Sequence, residues 1–227
     1  MHSRIAENRE LILKQIAEAC ESVGRDPSEV RLVAVSKTVG LTELSEAREA
    51  GIHDFGENRA KMFKEKYEAF PDEHWHFIGS VQTNKVKDYV GKAALIHSVA
   101  SEHALTAISR RAQLLGIIQS LLIEVNLSGE ESKDGTTPDG LNSLLDLAAG
   151  LEGIEVKGLM TMAPQAQAET VRAVFRGLRE LRDSLFASYG ALGRVQLREL
   201  SMGMSDDFPL AVQEGATILR IGRSIWL

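Results

Sequence analysis

Short apolar runs alternate with longer amphipathic segments along most of the chain. The runs are rich in β-branched and other apolar residues, and the segments between them repeat apolar positions at helical intervals. This alternation is typical of parallel strands joined by crossover helices. Eight strands are predicted, at residues 32–36, 52–55, 76–78, 94–97, 121–126, 155–159, 196–200 and 218–221.

The segments between these runs predict the helices of the fold. The helical patterns fall at residues 42–50, 59–69, 102–115, 141–149 and 169–187, and a further helix is predicted to begin near Asp206. Before the first strand, an additional N-terminal helix that ends near Gly24 is predicted by apolar residues at helical spacing, namely Ile5, Ile12, Ile16, Ala19 and Val23.

The length of the chain favours one domain. A (β/α)₈ barrel typically uses roughly 250 residues, and this chain has 227 residues with no tandem repeat or low-complexity linker. We therefore predict a single α/β domain over residues 1–227, a (β/α)₈ barrel of the TIM type with an extra N-terminal helix. An open doubly wound sheet is the alternative, and it also places ligands at the carboxyl ends of its strands.

Charge and cysteine content narrow the class of protein. A formal net charge of -6 argues against binding of nucleic acid, which needs a basic surface. Cys20 is the only cysteine, so neither an intrachain disulfide nor a multi-thiolate metal site can form. The first 24 residues contain no apolar stretch suited to a signal peptide or membrane span. We expect a cytoplasmic protein with no membrane contact.

Lys37 follows the first predicted strand directly, at the edge of the barrel where functional groups are expected. An ammonium close to a barrel core loses hydration, which makes the neutral amine available to attack an aldehyde. This position indicates a lysine that forms an imine. The alternative is a lysine that reaches into solvent or pairs with a carboxylate.

The loops after the seventh and eighth strands carry residues suited to an anion. Glycines there allow close backbone approach, while hydroxyls and arginines donate hydrogen bonds; these residues are Ser201, Gly203, Ser205, Arg220, Gly222 and Arg223. Phosphate-binding barrels use the same two loops. An ordinary turn at the glycines and helix capping by the serines are the alternatives.

A lysine that forms an imine, facing a phosphate site, predicts a phosphorylated aldehyde as ligand, and pyridoxal phosphate has both groups. A phosphosugar aldolase stays open on these residues alone. His74 and His76 flank Trp75 but have no matching carboxylate cluster, so no metal site is predicted. We expect His76 to line the barrel floor beneath the cofactor.

Several segments resemble the pyridoxal-phosphate homeostasis protein family, whose members are single-domain relatives of the amino-terminal barrel of alanine racemase. The resemblance covers nearly the whole chain and is carried by residues 33–38, 55–59, 76–79, 82–85, 125–133, 158–160, 200–207 and 212–222.

This resemblance implies roles for particular residues. Lys37 would hold pyridoxal phosphate as a Schiff base, Ser201 and the segment after Arg220 would hold the phosphate, and Asn58 would lie near the cofactor. Arg220 would face the pyridine nitrogen and keep it unprotonated, which makes the ring a poor electron sink. Arg223 departs from the family pattern, which usually has a small residue there, so its side chain has no role implied by the resemblance.

The resemblance implies a non-enzymatic protein that binds pyridoxal phosphate and delivers it to other enzymes, with transient contact to their apo forms. We assign no catalytic residues. The alternative is a pyridoxal-phosphate-dependent racemase or decarboxylase with weak or unassigned activity. Racemization needs a base on each face of the substrate, and the chain ends at Leu227, directly after the eighth strand, without the β domain of racemases. We expect a monomer.

Overall fold

A computed structural model describes residues 3–129, 134–189 and 193–227 of the chain. Its strands form one closed parallel barrel, in which each strand pairs with the next along the chain and β8 pairs with β1. The strands are β1 (Arg31–Val35), β2 (Asp54–Glu57), β3 (His74–Phe77), β4 (Leu95–Val99), β5 (Gln119–Glu124), β6 (Ile154–Met160), β7 (Val195–Ser201) and β8 (Ile218–Ile221). The predicted (β/α)₈ barrel is confirmed.

Helices precede the barrel and connect its strands. They are α1 (Arg4–Glu21), α2 (Leu41–Glu49), α3 (Ala60–Ala69), α4 (Val86–Tyr89), α5 (Glu102–Leu115), α6 (Pro138–Gly150), α7 (Ala168–Tyr189), α8 (Phe208–Gln213) and α9 (Arg223–Trp226). The sequence did not indicate α4 and α9, because one helical turn is too short to show an apolar period. Among the described residues, no helix combines the length and apolarity that crossing a bilayer requires.

Several strands begin or end a few residues away from the predicted bounds. The second run was predicted to begin at Ile52, whereas β2 begins at Asp54, where pairing with His74 of β3 starts. β5 begins at Gln119, which pairs with Ile154. The hydrogen-bonded partner on the neighbouring strand sets these bounds, and hydrophobicity alone does not reveal it.

Helix α1 packs one apolar stripe against the barrel, as its pattern predicts. Ile5, Ile12 and Ile16 are buried, but Val23 is 45% exposed and does not belong to the stripe. The reason is that α1 ends at Glu21, before Val23 completes the period. The Asn8 side chain donates a hydrogen bond to the Ile225 carbonyl at 3.0 Å, which ties α1 to α9.

The core has two parts. The larger part lies between the strands and the surrounding helices, where Phe63 contacts Trp75 and Phe77 edge-on and Phe77 stacks on Tyr89 at a ring separation of 3.9 Å. The smaller part is built from strand residues alone and fills the barrel interior; its members are Val33, Leu95, Leu122, Met160 and Ile218. Burial of these side chains supplies the main stabilisation of the barrel.

The barrel wall depends on glycine where β6 and β7 approach each other. A Cβ at Gly158 would overlap the backbone of Glu199. Gly158→Ala is therefore expected to lower the free energy of unfolding by about 3 kcal/mol or more, measured by urea denaturation. The control is Gly150→Ala at the end of α6, where a Cβ meets no atom within 4 Å; it should be neutral or stabilising by about 0.5 kcal/mol. Equal stability of the two variants would contradict this account.

Candidate functional site

A cavity of about 1520 Å³ opens at the carboxyl ends of the strands. This is the end of a barrel that carries ligand sites, and the volume exceeds that of a typical small-molecule pocket. Apolar side chains such as Val35, Phe77 and Met160 line part of its wall. Six of the nine predicted site residues also line it: Lys37, Asn58, Ser205, Arg220, Gly222 and Arg223.

Lys37 lies just beyond the end of β1, and its side chain is exposed in the mouth of the barrel. The expectation that the core dehydrates this amine is therefore wrong. The exposed side chain fits the alternative of a lysine that reaches into solvent. Among the described residues Lys37 has no ion-pair partner, so pairing with a carboxylate is not supported. The end of β1 is held by Trp226, whose indole N–H donates to the Val35 carbonyl at 2.7 Å.

A buried ion pair holds the ends of β1 and β2 beside Lys37. The Lys66 Nζ atom lies 2.7 Å from Glu57 Oε2 and donates to the Ser36 carbonyl at 2.6 Å. Glu57 Oε1 accepts the backbone N–H of Asn58 at 2.8 Å. Both charged side chains are almost fully buried. This pair fixes the backbone immediately before Lys37 and at Asn58, and the sequence analysis missed it because Lys66 resembles any other polar position of α3.

The loop after β7 and the start of α9 form one side of the cavity. Gly203 has a φ of 95°, and a Cβ there would collide with Ala211, so this turn requires glycine. Ser205 Oγ accepts a hydrogen bond from the Ser224 backbone N–H at 3.4 Å. Arg223 is exposed and pairs with Asp206 across this edge. Hydroxyl, amide and guanidinium donors are thus gathered where a phosphate was predicted.

Arg220 places a buried guanidinium at the floor of the cavity. Its Nη1 donates to Ser201 Oγ at 2.6 Å, and its Nη2 donates to the Thr161 carbonyl at 3.0 Å. Burial lowers the pKa of Arg220 to about 10, although the carboxylates of Glu124 and Asp207 oppose this shift. The group therefore keeps its charge at neutral pH.

Three predicted site residues do not line the cavity: His76, Ser201 and Gly203. Ser201 is fully buried and lies behind Arg220. His76 lies deeper still, and it lines a separate pocket of about 470 Å³ with Arg31 and Asp54. Its hydrogen-bonded path to Arg220 runs through His97 and Ser201, so the expectation that His76 lies beneath the cofactor stays a prediction.

Glu124 is a second buried acid near the floor, at the end of β5, and the sequence analysis did not identify it. Burial raises the pKa of Glu124 to about 7, and the Asp134 carboxylate adds to this rise, while Arg220 opposes it. No signal in the sequence separates this glutamate from the other acids. Within the described ranges, no group of three or more His, Cys, Asp or Glu side chains could hold a metal ion.

Fold and site together define a (β/α)₈-barrel protein with an accessible lysine on the same cavity as a group of hydrogen-bond donors suited to an anion. Residues 12–227 match the family described as "Alanine racemase, N-terminal domain". The chain is 46% identical over 214 residues to a "Pyridoxal phosphate homeostasis protein" of Aquifex aeolicus (strain VF5). The aligned residues cover 93% of this chain and 92% of that relative. It belongs to the alanine racemase N-terminal domain family and, within it, to the pyridoxal phosphate homeostasis proteins.

Solved structures agree with this assignment. The crystal structure of an unknown protein from Bifidobacterium adolescentis is 37% identical, has a TM-score of 0.93, and covers 98% of this chain and 94% of its own. The structure of PipY from Synechococcus elongatus PCC7942 with pyridoxal phosphate bound is 35% identical and has a TM-score of 0.81, with 93% of this chain and all of that chain covered. The segment 125–133 that carries part of the resemblance lies partly outside the described residues, because these exclude 130–133.

The buried pair of Glu57 and Lys66 gives a stability prediction. Lys66→Met leaves the Glu57 charge buried without its cation, which is expected to cost about 3 to 5 kcal/mol in urea denaturation. The double variant Glu57→Gln/Lys66→Met removes both charges and should regain most of that loss. A double variant as unstable as Lys66→Met would show that the pair is not the cause.

Glu124 gives a pH-dependent prediction. Its folded-state pKa of about 7 lies above the usual 4.5, so the folded protein binds a proton more tightly than the unfolded chain does. The free energy of unfolding should therefore fall as pH rises from about 4.5 to 7, by up to about 3 kcal/mol from this group. In Glu124→Gln this decrease in the free energy of unfolding should be absent. Urea denaturation at a series of pH values measures it. Parallel profiles for wild type and variant would contradict the assignment.

Proposed function

We propose that this protein binds pyridoxal phosphate in the cavity at the barrel mouth and serves intracellular pyridoxal phosphate homeostasis by delivering the cofactor to other enzymes. The observation that carries the proposal is the accessible amine of Lys37, which forms an ion pair with no described residue, on the same cavity as Ser205, Gly222 and Arg223. The curated relatives named for this role and PipY, whose structure contains pyridoxal phosphate, support it.

The donor set fits the chemical groups of the cofactor. Lys37 offers a primary amine for the aldehyde, and Ser205, Gly222 and Arg223 offer a hydroxyl, close backbone approach and a cation for the phosphate. Arg220 offers N–H donors for the ring nitrogen. Asn58 completes the wall next to Lys37. Ser201, Gly203 and His76 contribute from behind this wall rather than on it.

Arg220 supports a carrier or a racemase more than a transaminase. When bound, pyridoxal phosphate supplies an electron-withdrawing ring, and that ring withdraws electrons best when its nitrogen is protonated. A guanidinium only donates hydrogen bonds, so Arg220 favours an unprotonated ring nitrogen. The proposed carrier performs no turnover of its own, and a weak racemase or decarboxylase is the alternative outcome of the tests below.

We also propose an oligomeric state, a compartment and partners for the protein. We propose a monomeric, single-domain protein over residues 1–227 that acts in the cytoplasm and contacts the apo forms of pyridoxal-phosphate-dependent enzymes transiently. Cys20, the only cysteine, is buried, which suits a reducing compartment. The exposure of Lys37 supports exchange of the cofactor with such partners, because the amine is reached from the mouth.

The site is tested by chemical mapping. After incubation with pyridoxal phosphate and reduction with borohydride, mass spectrometry should find the cofactor on the peptide that carries Lys37, because this amine is accessible beside the anion-binding loops. Lys37→Ala should abolish the labelling. Lys85→Ala is the matched control, since Lys85 lines the same cavity, and it should leave the labelling unchanged. Labelling that survives in Lys37→Ala would refute the assignment of this lysine.

The role as carrier needs a second measurement on the loaded protein. Transfer of pyridoxal phosphate to an apo-enzyme, followed by recovery of that enzyme's activity, should occur with wild type. A panel of amino acids should show no sustained change of chirality and no release of carbon dioxide. Robust turnover of any one amino acid would overturn the carrier role in favour of an enzyme.

A further inference from the structure

A continuous chain of hydrogen bonds runs through the barrel interior from Arg220 to Asp54. Arg220 Nη1 lies 2.6 Å from Ser201 Oγ, which lies 2.8 Å from His97 Nδ1. His97 Nε2 lies 2.9 Å from His76 Nδ1, and His76 Nε2 lies 3.0 Å from Asp54 Oδ1. The chain thus joins the floor of the cavity to the pocket at the opposite end of the barrel.

The two ends of the chain and two neutral imidazoles together fix the direction of every link. Arg220 has no acceptor, so Ser201 Oγ accepts from it, and a carboxylate has no donor, so Asp54 accepts from His76 Nε2. With both imidazoles neutral, the Ser201 hydroxyl proton is left to donate to His97 Nδ1. His97 then carries its proton on Nε2 and donates it to His76. His76 likewise carries its proton on Nε2 and donates it to Asp54. Each imidazole is neutral in this arrangement and is satisfied on both of its nitrogens.

The surroundings agree with two neutral imidazoles. Burial holds the pKa of His97 well below its usual range, and the positive charges of Arg220 and Arg31 act in the same direction. Burial also lowers the pKa of His76, although Asp54 opposes this shift. Burial alone would raise the pKa of Asp54, but His76, Arg31 and His74 lower it overall, so Asp54 is the anionic end of the chain.

We propose that Ser201, His97 and His76 are positioning residues for Arg220, and that the Ser201 hydroxyl orients this guanidinium instead of binding the phosphate. Ser201 is fully buried, and its one proton is used by His97. Thr161 holds the other Nη atom through its carbonyl, so the guanidinium plane is fixed at two points. Of the two serines predicted to hold the phosphate, Ser205 is the one that lines the cavity and can contact an anion there.

This inference rests on the proposed function, and two ligands separate it from a phosphate role. Pyridoxal phosphate and pyridoxal share the ring and aldehyde, and only the first has a phosphate. If Ser201 acts through Arg220 at the ring, Ser201→Ala should lower the affinity for both ligands by a similar factor, about tenfold. Ser205→Ala, in the loop that follows β7, is the matched control, and it should weaken the binding of pyridoxal phosphate by about tenfold while leaving that of pyridoxal nearly unchanged.

Absorption titration of each variant with each ligand measures these affinities. A loss for Ser201→Ala that is confined to pyridoxal phosphate would overturn the inference, as would the absence of any effect on either ligand. If wild type bound neither ligand, the proposed function would fail, and the hydrogen-bonded chain would still be judged by the second measurement.

The second measurement is nitrogen NMR of the histidine side chains in wild type, with and without pyridoxal phosphate. His76 and His97 should both be neutral and protonated on Nε2 at neutral pH. In Ser201→Ala, the His97 Nδ1 resonance should move to the position of a nitrogen that accepts no hydrogen bond. Protonation on Nδ1, or a cationic ring for either histidine, would overturn the proposed direction. The wild-type spectrum decides this even if Ser201→Ala does not fold.

Discussion

The side chain of Arg220 places a positive charge inside the barrel, where water cannot reach most of its surface. A buried cation is tolerated only where acceptors replace the water it has lost. Here the acceptors are the Ser201 hydroxyl and the Thr161 carbonyl, and each comes from the end of a strand next to the mouth or from the loop beyond it. Satisfying this one charge therefore ties β6, β7 and β8 together beneath the ligand cavity.

At the neighbouring ends of β1 and β2, buried charges are satisfied in a different way. Glu57 and Lys66 neutralise each other, and their remaining hydrogen-bonding atoms hold the backbone around Ser36 and Asn58. The first polar system holds the Arg220 guanidinium at the floor of the cavity, and the second holds the backbone beside Lys37. Lys37 is accessible while the chain before it is rigid, a combination that suits a ligand that must be bound and later released.

Much of the fold followed from the alternation of apolar runs and amphipathic segments, because a closed barrel imposes that period along the whole chain. The position of Lys37 followed from the same reasoning, since the residue after a strand must reach the mouth. The partners inside the barrel did not. His97 and Ser201 are 104 positions apart in the sequence and meet only when β4 and β7 close around one interior. Lys66 shows the same limit, since a helical lysine is usually solvated and only the tertiary contact with Glu57 explains its burial.

The hydrogen bond from Trp226 to the Val35 carbonyl has an optical consequence. The chain has two tryptophans, and Trp75 is sealed in the aromatic core without exposure to solvent. Trp226 instead contacts Val35 at the end of β1, two residues before Lys37, and Val35 itself lines the cavity. An absorbing molecule seated in the mouth lies close to one indole that is anchored to the wall. The protein therefore carries an intrinsic fluorophore, Trp226, whose emission reports whether the cavity is occupied. The same indole holds the end of β1 in place.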